Sequence, residues 1–427
     1  MSRGLGVYVG SLRVFSRGGE PIVRDASFQL EEGDLALVVG RSGSGKTTIL
    51  RVLAGVAQGV FGLRVEGSVK LFGESVSRSS VARYVSYVPQ EPWSAVASPY
   101  PVIELTSFTR ASRAEVEEAL HRLGLEHILE ENTSSLSPGE IQRLLIAEAY
   151  LARSRLVLVD EALSYLDPAS RAAVIEMLRE LAEGGSIVIV VDHVAEQWRG
   201  LYTKVIYVES GAARAVDSLE DTGYLQALER CLASFEALRP RGGGGEAVAE
   251  VRDLWFRYPD ARDYVLRGVW LRAREGSIVV VKGGSGRGKS TLLRVVAGLY
   301  RASRGRVVVR ARPQLVPENP LLYISSPTPR EELGDGASVA EEAGLAHRLD
   351  TPIAFLSGGE RRRLAIASAY VRSPRLLLVD EPSVGLDPWS ALSVARLLST
   401  LASRGSAIVI ATHDPYLARL GNEVLEV

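Results

Sequence analysis

Cysteine, methionine, lysine and long apolar runs are all scarce in this sequence. Cys231 is the only cysteine, so no disulfide can form within the chain and a reducing compartment is expected. No apolar run approaches the roughly 18 residues that a membrane-spanning helix needs. The first residues also lack the apolar segment of a secretory signal. If the protein serves a membrane, other chains must cross it.

Excess charge is lacking as well. The 50 basic residues nearly balance the 51 acidic ones, which leaves a formal net charge of −1. This balance argues against a general nucleic-acid binder that is held by phosphate neutralisation, and we expect no nucleic-acid partner.

What the sequence does contain is one ordered set of motifs that occurs twice. The first set comprises a glycine-rich loop at 40–47, Gln90, Leu-Ser-Pro-Gly-Glu at 136–140, Asp160-Glu161 and His193. The second set comprises the loop 283–290, Glu318 in the place of Gln90, Leu-Ser-Gly-Gly-Glu at 356–360, Asp380-Glu381 and His413. Two complete sets in the same order predict two modules of one kind.

The spacing within the two sets supports a common folded frame. Three pairs of equivalent residues are each separated by 220 positions: Ser137 and Ser357, Asp160 and Asp380, and His193 and His413. Lys46 and Lys289 are 243 positions apart, so the second copy is 23 residues shorter between its lysine and its serine motif. We expect the second module to be trimmed in that stretch.

The chain divides into a first module at 3–215, a connector at 216–245 and a second module at 246–427. Both modules alternate continuous apolar runs of strand length with helical spacing, which is typical of an α/β fold with a parallel sheet. In the connector, helical spacing predicts an amphipathic helix over 222–238, followed by a glycine hinge at 242–245. We expect this helix to pack against the first module; the alternative is that it docks a partner.

Each glycine-rich loop has the spacing G-x-x-x-x-G-K-[ST] after an apolar strand, which places backbone N–H groups and a helix N-terminus around phosphate oxygens. The lysines are expected to reach the β- and γ-phosphates, and the following hydroxyl to contact Mg²⁺. The predicted nucleotide-binding residues are Gly40, Ser42, Gly43, Ser44, Gly45, Lys46, Thr47 and Thr48, and then Gly283, Ser285, Gly286, Gly288, Lys289, Ser290 and Thr291.

Asp160 and Asp380 each end an apolar strand, a position that presents a carboxylate beside Mg²⁺. The glutamate that follows each aspartate is placed to orient or deprotonate the attacking water. The alternative is a solvated acidic pair at a strand end. A histidine 33 residues after each aspartate is placed to bond the γ-phosphate. The predicted catalytic residues are therefore Glu161, Glu381, His193 and His413.

This motif set resembles that of the ATP-binding-cassette (ABC) ATPases over nearly the whole chain apart from the connector. The discriminating motif is Leu-Ser-Gly-Gly-Glu at 356–360. In the family this signature motif caps the nucleotide that the opposite phosphate loop holds. The resemblance implies two tandem P-loop NTPase domains, each with a mainly parallel sheet core, an antiparallel β subdomain and a helical signature subdomain. It also implies two ATPs in a head-to-tail sandwich, here formed within one chain.

The resemblance further implies roles for residues outside the loops. Phe15 and Tyr258, each 31 residues before a loop lysine, match the adenine-stacking aromatic; a buried strand residue is the alternative. The signature residues expected to contact nucleotide are Ser137, Gly139, Ser357, Gly358 and Gly359. The metal-site residues expected are Thr47, Gln90, Asp160, Ser290, Glu318 and Asp380.

The two composite sites are not expected to be equal. Site one, the first loop with the second signature motif, matches the family throughout. Site two, the second loop with the first signature motif, departs twice. Pro138 lacks an N–H, although proline is tolerated in the first turn of a helix. Glu318 can ligate Mg²⁺ but adds negative charge near phosphate. We expect site one to hydrolyse ATP faster.

Two classes of function are compatible with such an ATPase. The first is the motor of a membrane transporter, bound to integral membrane subunits at the cytoplasmic face and similar to the duplicated ATPases of energy-coupling-factor and cobalt-type importers of small molecules, metals or vitamins. An apolar segment after Gln90, from Trp93 to Phe108, corresponds to the family's groove for a coupling helix; packing of the helical subdomain is the alternative. The second class is a soluble twin-cassette ATPase that acts on ribosomes or nucleic acid.

Overall fold

The structure is a computed structural model that describes residues 4–161, 163, 166–192, 195–242, 244–259, 261, 263–284, 286–336 and 338–427. Two predicted site residues, His193 and Ser285, therefore lie outside the described residues. The chain forms two compact units, of which the first ends at Gln226 and the second begins at Ala227. We refer to them as the first and second modules.

Ten strands of the first module form one mixed sheet in the order β5-β4-β1-β2-β10-β9-β3-β8-β7-β6. These strands are Leu5–Phe15 (β1), Pro21–Glu31 (β2), Leu35–Val39 (β3), Arg64–Leu71 (β4), Glu74–Ser75 (β5), Val85–Val88 (β6), Leu156–Asp160 (β7), Ile187–Val191 (β8), Lys204–Glu209 (β9) and Ala212–Val216 (β10). Strands β6, β7, β8, β3 and β9 pair in parallel. Every residue of β3, β7 and β8 is buried, as expected of strands that are covered on both faces.

Helices of the first module begin at recognisable caps. Ser77, Ser112 and Ser137 each form a capping box with the third residue of the helix that follows. The α3, α4 and α5 helices pack together as a helical subdomain. The helices are Lys46–Leu53 (α1), Arg78–Tyr84 (α2), Pro101–Thr109 (α3), Arg113–Arg122 (α4), Pro138–Leu151 (α5) and Pro168–Glu183 (α6).

The second module repeats this plan with two separate sheets. One is antiparallel in the order β12-β11-β14, and the other is parallel in the order β15-β16-β17-β13-β18. In the first module β10 pairs with both β2 and β9 and so joins the two parts. No described strand of the second module takes that place. The strands are Ala247–Phe256 (β11), Leu266–Arg274 (β12), Ile278–Lys282 (β13), Arg304–Val309 (β14), Pro313–Val316 (β15), Leu376–Asp380 (β16), Ala407–Thr412 (β17) and Glu423–Glu426 (β18).

The shortening of the second module falls where the spacing predicts it. After the loop helix the first module has β4, β5 and α2, whereas the second has β14 alone before β15. The helical subdomain is also reduced, because two short helices stand where the first module has α3 and α4. The helices concerned here are Tyr224–Glu236 (α7, in the connector), Lys289–Val296 (α8), Pro329–Leu333 (α9), Val339–Glu342 (α10), Gly358–Arg372 (α11) and Pro388–Ser403 (α12).

The connector contains the predicted helix, α7. Its C-terminal half belongs to the second module: Cys231 and Phe235 are buried in that module's core, and the rings of Phe235 and Tyr416 lie 6.0 Å apart. Arg419 also forms an ion pair with Glu236 at 2.6 Å. The expectation that the helix packs against the first module is therefore wrong for this half, because its apolar stripe completes the second core. Among the described residues, no helix combines the length and apolar character that a bilayer crossing requires.

Candidate nucleotide-binding and catalytic sites

The first glycine-rich loop connects the buried strand β3 to α1. Gly45, at the N-cap of α1, has a φ of 108°, which residues with a Cβ rarely adopt. A Cβ on Gly40 would lie 2.2 Å from the carbonyl oxygen of Val208. Lys46 Nζ donates to the carbonyl oxygens of Gly40 at 2.9 Å and Arg41 at 3.0 Å. The loop is thus folded around its lysine, at the positive end of the α1 dipole.

One hydroxyl of this loop fits a phosphate ligand. Ser44 Oγ is buried and has no hydrogen-bond partner among the described residues. Buried polar atoms are nearly always paired, so an orphaned hydroxyl inside a phosphate-binding turn is suited to a ligand oxygen. The loop residues therefore fit the triphosphate of ATP.

The second loop repeats the geometry between β13 and α8. Gly288 has a φ of 96° at the N-cap of α8. Lys289 Nζ donates to the carbonyl oxygens of Gly283 at 2.9 Å and Gly284 at 3.0 Å, the same distances as in the first module. It also pairs with Glu381 Oε1 at 3.1 Å. The two loops that repeat in sequence therefore also share the hydrogen bonds of their lysines.

In the first module the aspartate that ends β7 lies beside the loop hydroxyl. Thr47 Oγ1 donates to Asp160 Oδ1 at 3.0 Å, and the Tyr87 hydroxyl donates to Asp160 Oδ2 at 3.2 Å. Burial, and then the charge of Glu161, raise the pKa of the Asp160 carboxyl to about 6. A hydroxyl and a buried carboxylate at this spacing suit Mg²⁺, which takes one or two protein ligands alongside substrate phosphates.

In the second module the equivalent aspartate has fewer partners. Burial raises the pKa of the Asp380 carboxyl, and a hydrogen bond from Ser290 acts in the opposite direction. Asp380 Oδ1 is buried without a hydrogen-bond partner among the described residues. Leu315 stands where the first module has Tyr87. An orphaned carboxylate oxygen beside a loop hydroxyl also fits Mg²⁺, whose role would be to offset the charge of the β- and γ-phosphates.

The glutamates that follow these aspartates share an unusual backbone conformation. Glu161 has a φ of 57° and Glu381 a φ of 43°. Their N–H groups donate to the carbonyl oxygens of Val191 at 3.0 Å and Ala411 at 2.8 Å. Non-glycine residues with positive φ cost energy and cluster at functional sites. Both modules therefore hold this glutamate in the same strained turn after the strand.

Among the described residues, different side chains contact the two glutamates. Gln90 Nε2 donates to Glu161 Oε2 at 2.6 Å. In the second module His413 Nδ1 lies 3.0 Å from Glu381 Oε2, and this hydrogen bond raises the pKa of His413. Burial alone would raise the pKa of Glu381, but His413 and Lys289 outweigh it, so this pKa lies below its usual value. The structure thus brings Glu381 and His413 within hydrogen-bond distance, and their catalytic roles stay predictions.

Glu318 lies close to the acids of its module and to one arginine that the sequence interpretation missed. Desolvation, and then the charges of Asp380 and Glu381, raise the pKa of the Glu318 carboxyl, while Arg362 and His413 lower it. The buried Arg362 guanidinium donates to the carbonyl oxygen of Glu318. Arg362 therefore holds this loop and offsets part of its charge.

The first module has an uncharged residue in the place of Arg362. That residue is Gln142, also 220 positions earlier, and neither atom of its buried amide has a partner among the described residues. The signal for Arg362 was present in the sequence, because Arg361-Arg362-Arg363 stands opposite Ile141-Gln142-Arg143. Glutamate and arginine in one module thus replace two glutamines in the other.

The signature serines cap the helices that follow them. Ser137 is the N-cap of α5 and Ser357 the N-cap of α11, and each is paired with the glutamate three residues later. Pro138 occupies the first turn of α5, where a backbone N–H has no partner within the helix, so the missing N–H of proline costs the helix nothing. Both signature motifs therefore present a capped helix N-terminus.

The predicted adenine-stacking residues have partners within their own modules. The Arg64 guanidinium lies 4.3 Å from the centre of the Phe15 ring. The Tyr258 hydroxyl bonds Thr291 Oγ1 at 2.9 Å, and its ring packs edge-on against Phe256 at 5.1 Å. Tyr258 is thus tied to the helix that follows the second loop, and adenine stacking stays a prediction for both residues.

Comparison with known proteins agrees with this architecture. A family model described as "ABC transporter" matches residues 23–164 and 266–384, more than half of the chain. A relative from Saccharolobus solfataricus, named as a candidate ABC transporter ATP-binding protein, is 27% identical over 92% of this chain and 86% of its own length. A Bacillus subtilis relative, named as a candidate HMP/thiamine import ATP-binding protein, is 24% identical over 92% of this chain and 84% of its own length.

Two solved structures resemble the whole chain. One, named RNase-L Inhibitor, has a TM-score of 0.67 and 23% identity, and the match covers 97% of this chain and 87% of that one. The other is an archaeal ribosome recycling factor in complex with the archaeal ribosomal stalk protein aP1; its TM-score is 0.65 at 24% identity, covering 94% of this chain and 85% of that one. Likeness at this level of identity demonstrates the fold: two tandem P-loop NTPase modules.

Proposed function

The chain belongs to the ABC transporter family and carries two fused ATPase cassettes, and on that premise we propose that it is the motor subunit of a membrane transporter. In this proposal MgATP hydrolysis in the two modules drives movement of integral membrane subunits, with the chain held at the cytoplasmic face of the membrane. The cargo would be a small molecule, a metal ion or a vitamin.

Exposed apolar side chains after Gln90 and after Glu318 are the observation that carries this proposal. Trp93 is 51% exposed, and the residue at the same distance after Glu318, Leu321, is also exposed. Leu322 beside it is 77% exposed. Apolar side chains exposed on a folded surface mark interaction sites when they cluster. Their recurrence at one position of the repeat suits a partner that presents two similar apolar elements.

The first module extends this surface along α3. Ile103 and Phe108 of that helix are exposed together with Tyr100 just before it, whereas Leu105 faces the core. The alternative from sequence, that this segment only packs the helical subdomain, accounts for Leu105 but not for its exposed neighbours. The curated relatives named as transporter ATP-binding proteins support the same proposal.

We further propose that the modules pair head to tail within one chain. Each phosphate loop would then be closed by the opposite signature motif, Lys46 with Ser357 and Lys289 with Ser137. The capped N-termini of α5 and α11 support this, because a helix N-terminus stabilises phosphate charge. Small-angle scattering of the Glu161→Gln, Glu381→Gln double variant would show a smaller radius of gyration with MgATP; an unchanged radius contradicts intramolecular pairing.

A second candidate, an ATPase that acts on ribosomes, is favoured by the comparison with solved structures. Both structures reported above match nearly the full chain, and one is a ribosome recycling factor bound to a ribosomal protein. What they share with this chain is the fold, so the partner has to be identified by experiment.

Sedimentation of the tagged full chain from a lysate of its own cells distinguishes these candidates. We expect it in the membrane fraction with an integral membrane subunit, and we expect Trp93→Ser combined with Leu322→Ser to release it. Trp270→Ser is the matched control, since it removes an exposed aromatic ring that lies outside this apolar surface. Sedimentation with ribosomes and not with membranes would contradict the transport proposal.

A further inference from the structure

The antiparallel sheet of the second module has a strongly basic outer face. On it Glu250 lies opposite Arg272 and Val308, and Arg252 lies opposite Arg306. Arg252, Arg272, Arg306 and Arg310 are exposed. The opposite side of this sheet, with Val251 and Leu271, is buried in the core. We call Arg252, Trp270, Arg272, Arg306 and Arg310 the arginine face.

Positive charge on this face is only partly neutralised. Glu250 pairs with Arg252 at 2.7 Å and with Arg272 and Arg310 at 3.3 Å each, so one carboxylate serves three guanidinium groups. Arg306 stands directly across from Arg252. Like charges on directly opposite cross-strand positions are destabilising. The arrangement therefore favours a negatively charged partner on this face.

The first module provides an internal control, because its register is the same. There Tyr8 lies opposite Gln29, as Glu250 lies opposite Arg272. Counting from these pairs, Gly10 stands in the place of Arg252, and its partner Ser68 in the place of Arg306. The ATPase fold therefore does not require arginine here, since the same sheet forms in the first module without it.

An exposed aromatic ring lies among these arginines. Trp270 is 61% exposed, and the first module has Ser27 at the equivalent position. A groove of about 410 Å³ runs along Trp270, Arg252 and Arg272, and the acidic residues Glu250 and Glu423 also line it. A flat aromatic face stacks on bases, and neighbouring guanidinium groups bind backbone phosphates. We infer that the arginine face is a docking surface for single-stranded nucleic acid.

A lipid surface fits this face less well. Trp270 is the one large apolar side chain on the face that is exposed; Val308 is half-buried. Membrane-surface elements instead bury a broad apolar side in the bilayer. The inference goes beyond transport or ribosome action and depends on neither, because it rests on the exposed side chains of this sheet and on their absence at the equivalent positions of the first module.

Fluorescence anisotropy with a labelled single-stranded RNA of twelve nucleotides tests this inference on the full chain. Arg272→Gln combined with Arg306→Ser installs the first module's residues. We expect it to weaken binding about tenfold and to lower the salt dependence by about one to two released ions, because two phosphate contacts are lost. Trp270→Ser should weaken binding by a similar factor through lost stacking.

The matched control removes two exposed arginines of the first module, Arg13→Gln with Arg78→Ser, and should bind RNA like the unchanged protein. Equal weakening in this control, or no RNA binding by the unchanged protein, overturns the inference. The inference is also overturned if the unchanged protein binds vesicles of anionic phosphatidylglycerol but not RNA, and if the paired variant abolishes that vesicle binding. ATPase rates of all variants should match that of the unchanged protein, since none touches the nucleotide loops, and the melting temperature of each variant checks that it is folded.

Discussion

Asp160 and Asp380 end equivalent buried strands, yet their surroundings differ. Asp160 accepts hydrogen bonds from both Thr47 and Tyr87, whereas Asp380 keeps one buried oxygen without a partner among the described residues. Among the described residues, the amide of Gln90 donates to Glu161, whereas Lys289 and His413 contact Glu381. Gln90 and Tyr87 of the first module thus have no counterpart of the same kind in the second, where Glu318 and Leu315 stand.

This difference bears on how each site reaches its active arrangement. Gln90 is uncharged, so its separation from Glu161 breaks no ion pair between these two residues. Glu381, in contrast, must exchange its contact with Lys289 before that lysine can turn to phosphate, and breaking a buried ion pair is costly. We keep the prediction that the first module's loop and acids, in site one, hydrolyse ATP faster, because both departures from the family pattern, Pro138 and Glu318, fall in site two.

The largest expected effect comes from removing each glutamate in turn. General-base catalysis contributes roughly 10²- to 10⁴-fold to a rate. Glu161→Gln should lower the single-turnover hydrolysis rate by at least about 100-fold, and Glu381→Gln by less than about tenfold, because site one carries most of the turnover. Rapid-quench measurement with radiolabelled ATP gives both rates. Equal residual rates would refute the asymmetry, and MgATP binding should persist in both variants.

Asp160→Asn sharpens the comparison through stability. A carboxyl whose pKa is raised to about 6 by folding stabilises the native state below its unfolded pKa of 3.8 and destabilises it as pH rises. The amide should therefore stabilise the nucleotide-free protein at pH 7 by about 3 kcal/mol, and this gain should vanish below about pH 4. Thermal unfolding across this range measures it.

Asp380→Asn is the matched variant for this test. Its gain should be smaller, because Ser290, Arg294 and Lys289 counteract the effect of burial on the pKa of Asp380. A loss of stability in Asp160→Asn at pH 7 would show that the hydrogen bonds from Thr47 and Tyr87 outweigh the burial of charge.

A third prediction concerns the charged pair that replaces two glutamines. Arg362→Gln leaves Glu318 uncompensated near phosphate, so MgATP affinity at site two should fall about tenfold. Glu318→Gln with Arg362→Gln installs the first module's pair and should restore affinity to within about threefold, because the two residues are coupled. Titration with a fluorescent ATP analogue and thermal unfolding measure both effects. A double variant as weak as Arg362→Gln contradicts the coupling.

The smallest effect is expected at the signature motif of site two. Pro138→Gly should change steady-state hydrolysis by less than about twofold, because the first turn of α5 makes no use of the missing N–H. Gly358→Pro is the mirror variant in α11. A loss of more than about tenfold in Gly358→Pro, or a gain of that size in Pro138→Gly, would show that this N–H contacts nucleotide directly.

Local motifs were predictable because their geometry is local. The loops, the acids at strand ends and the helix caps follow from residues that are close in sequence, and the equal spacing of 220 positions carried the first module's assignments to the second. Tyr87 and Arg362 were missed because their partners, Asp160 and Glu318, are distant in sequence and meet only in the folded module.

Two further features could not be predicted from the sequence: the core that α7 packs against and the local charge of one sheet. The amphipathic helix α7 was recognised, but an apolar stripe does not say which of two cores it completes, and Phe235 entered the second. A net charge of −1 over the whole chain argued against nucleic acid, yet arginines gather on one sheet of one module. Register, which brings Arg252 and Arg306 together, is a property of strand pairing and not of composition.

The strand β10 has a mechanical consequence for the two halves. In the first module it hydrogen-bonds to both β2 and β9, so the ten strands form one continuous plate that transmits load through backbone bonds. The second module's two sheets are linked by no described strand and meet through side-chain packing, which yields to shear more readily. Tension across the chain should therefore deform the second module first, whereas the stiffer first module should keep its shape during any conformational change.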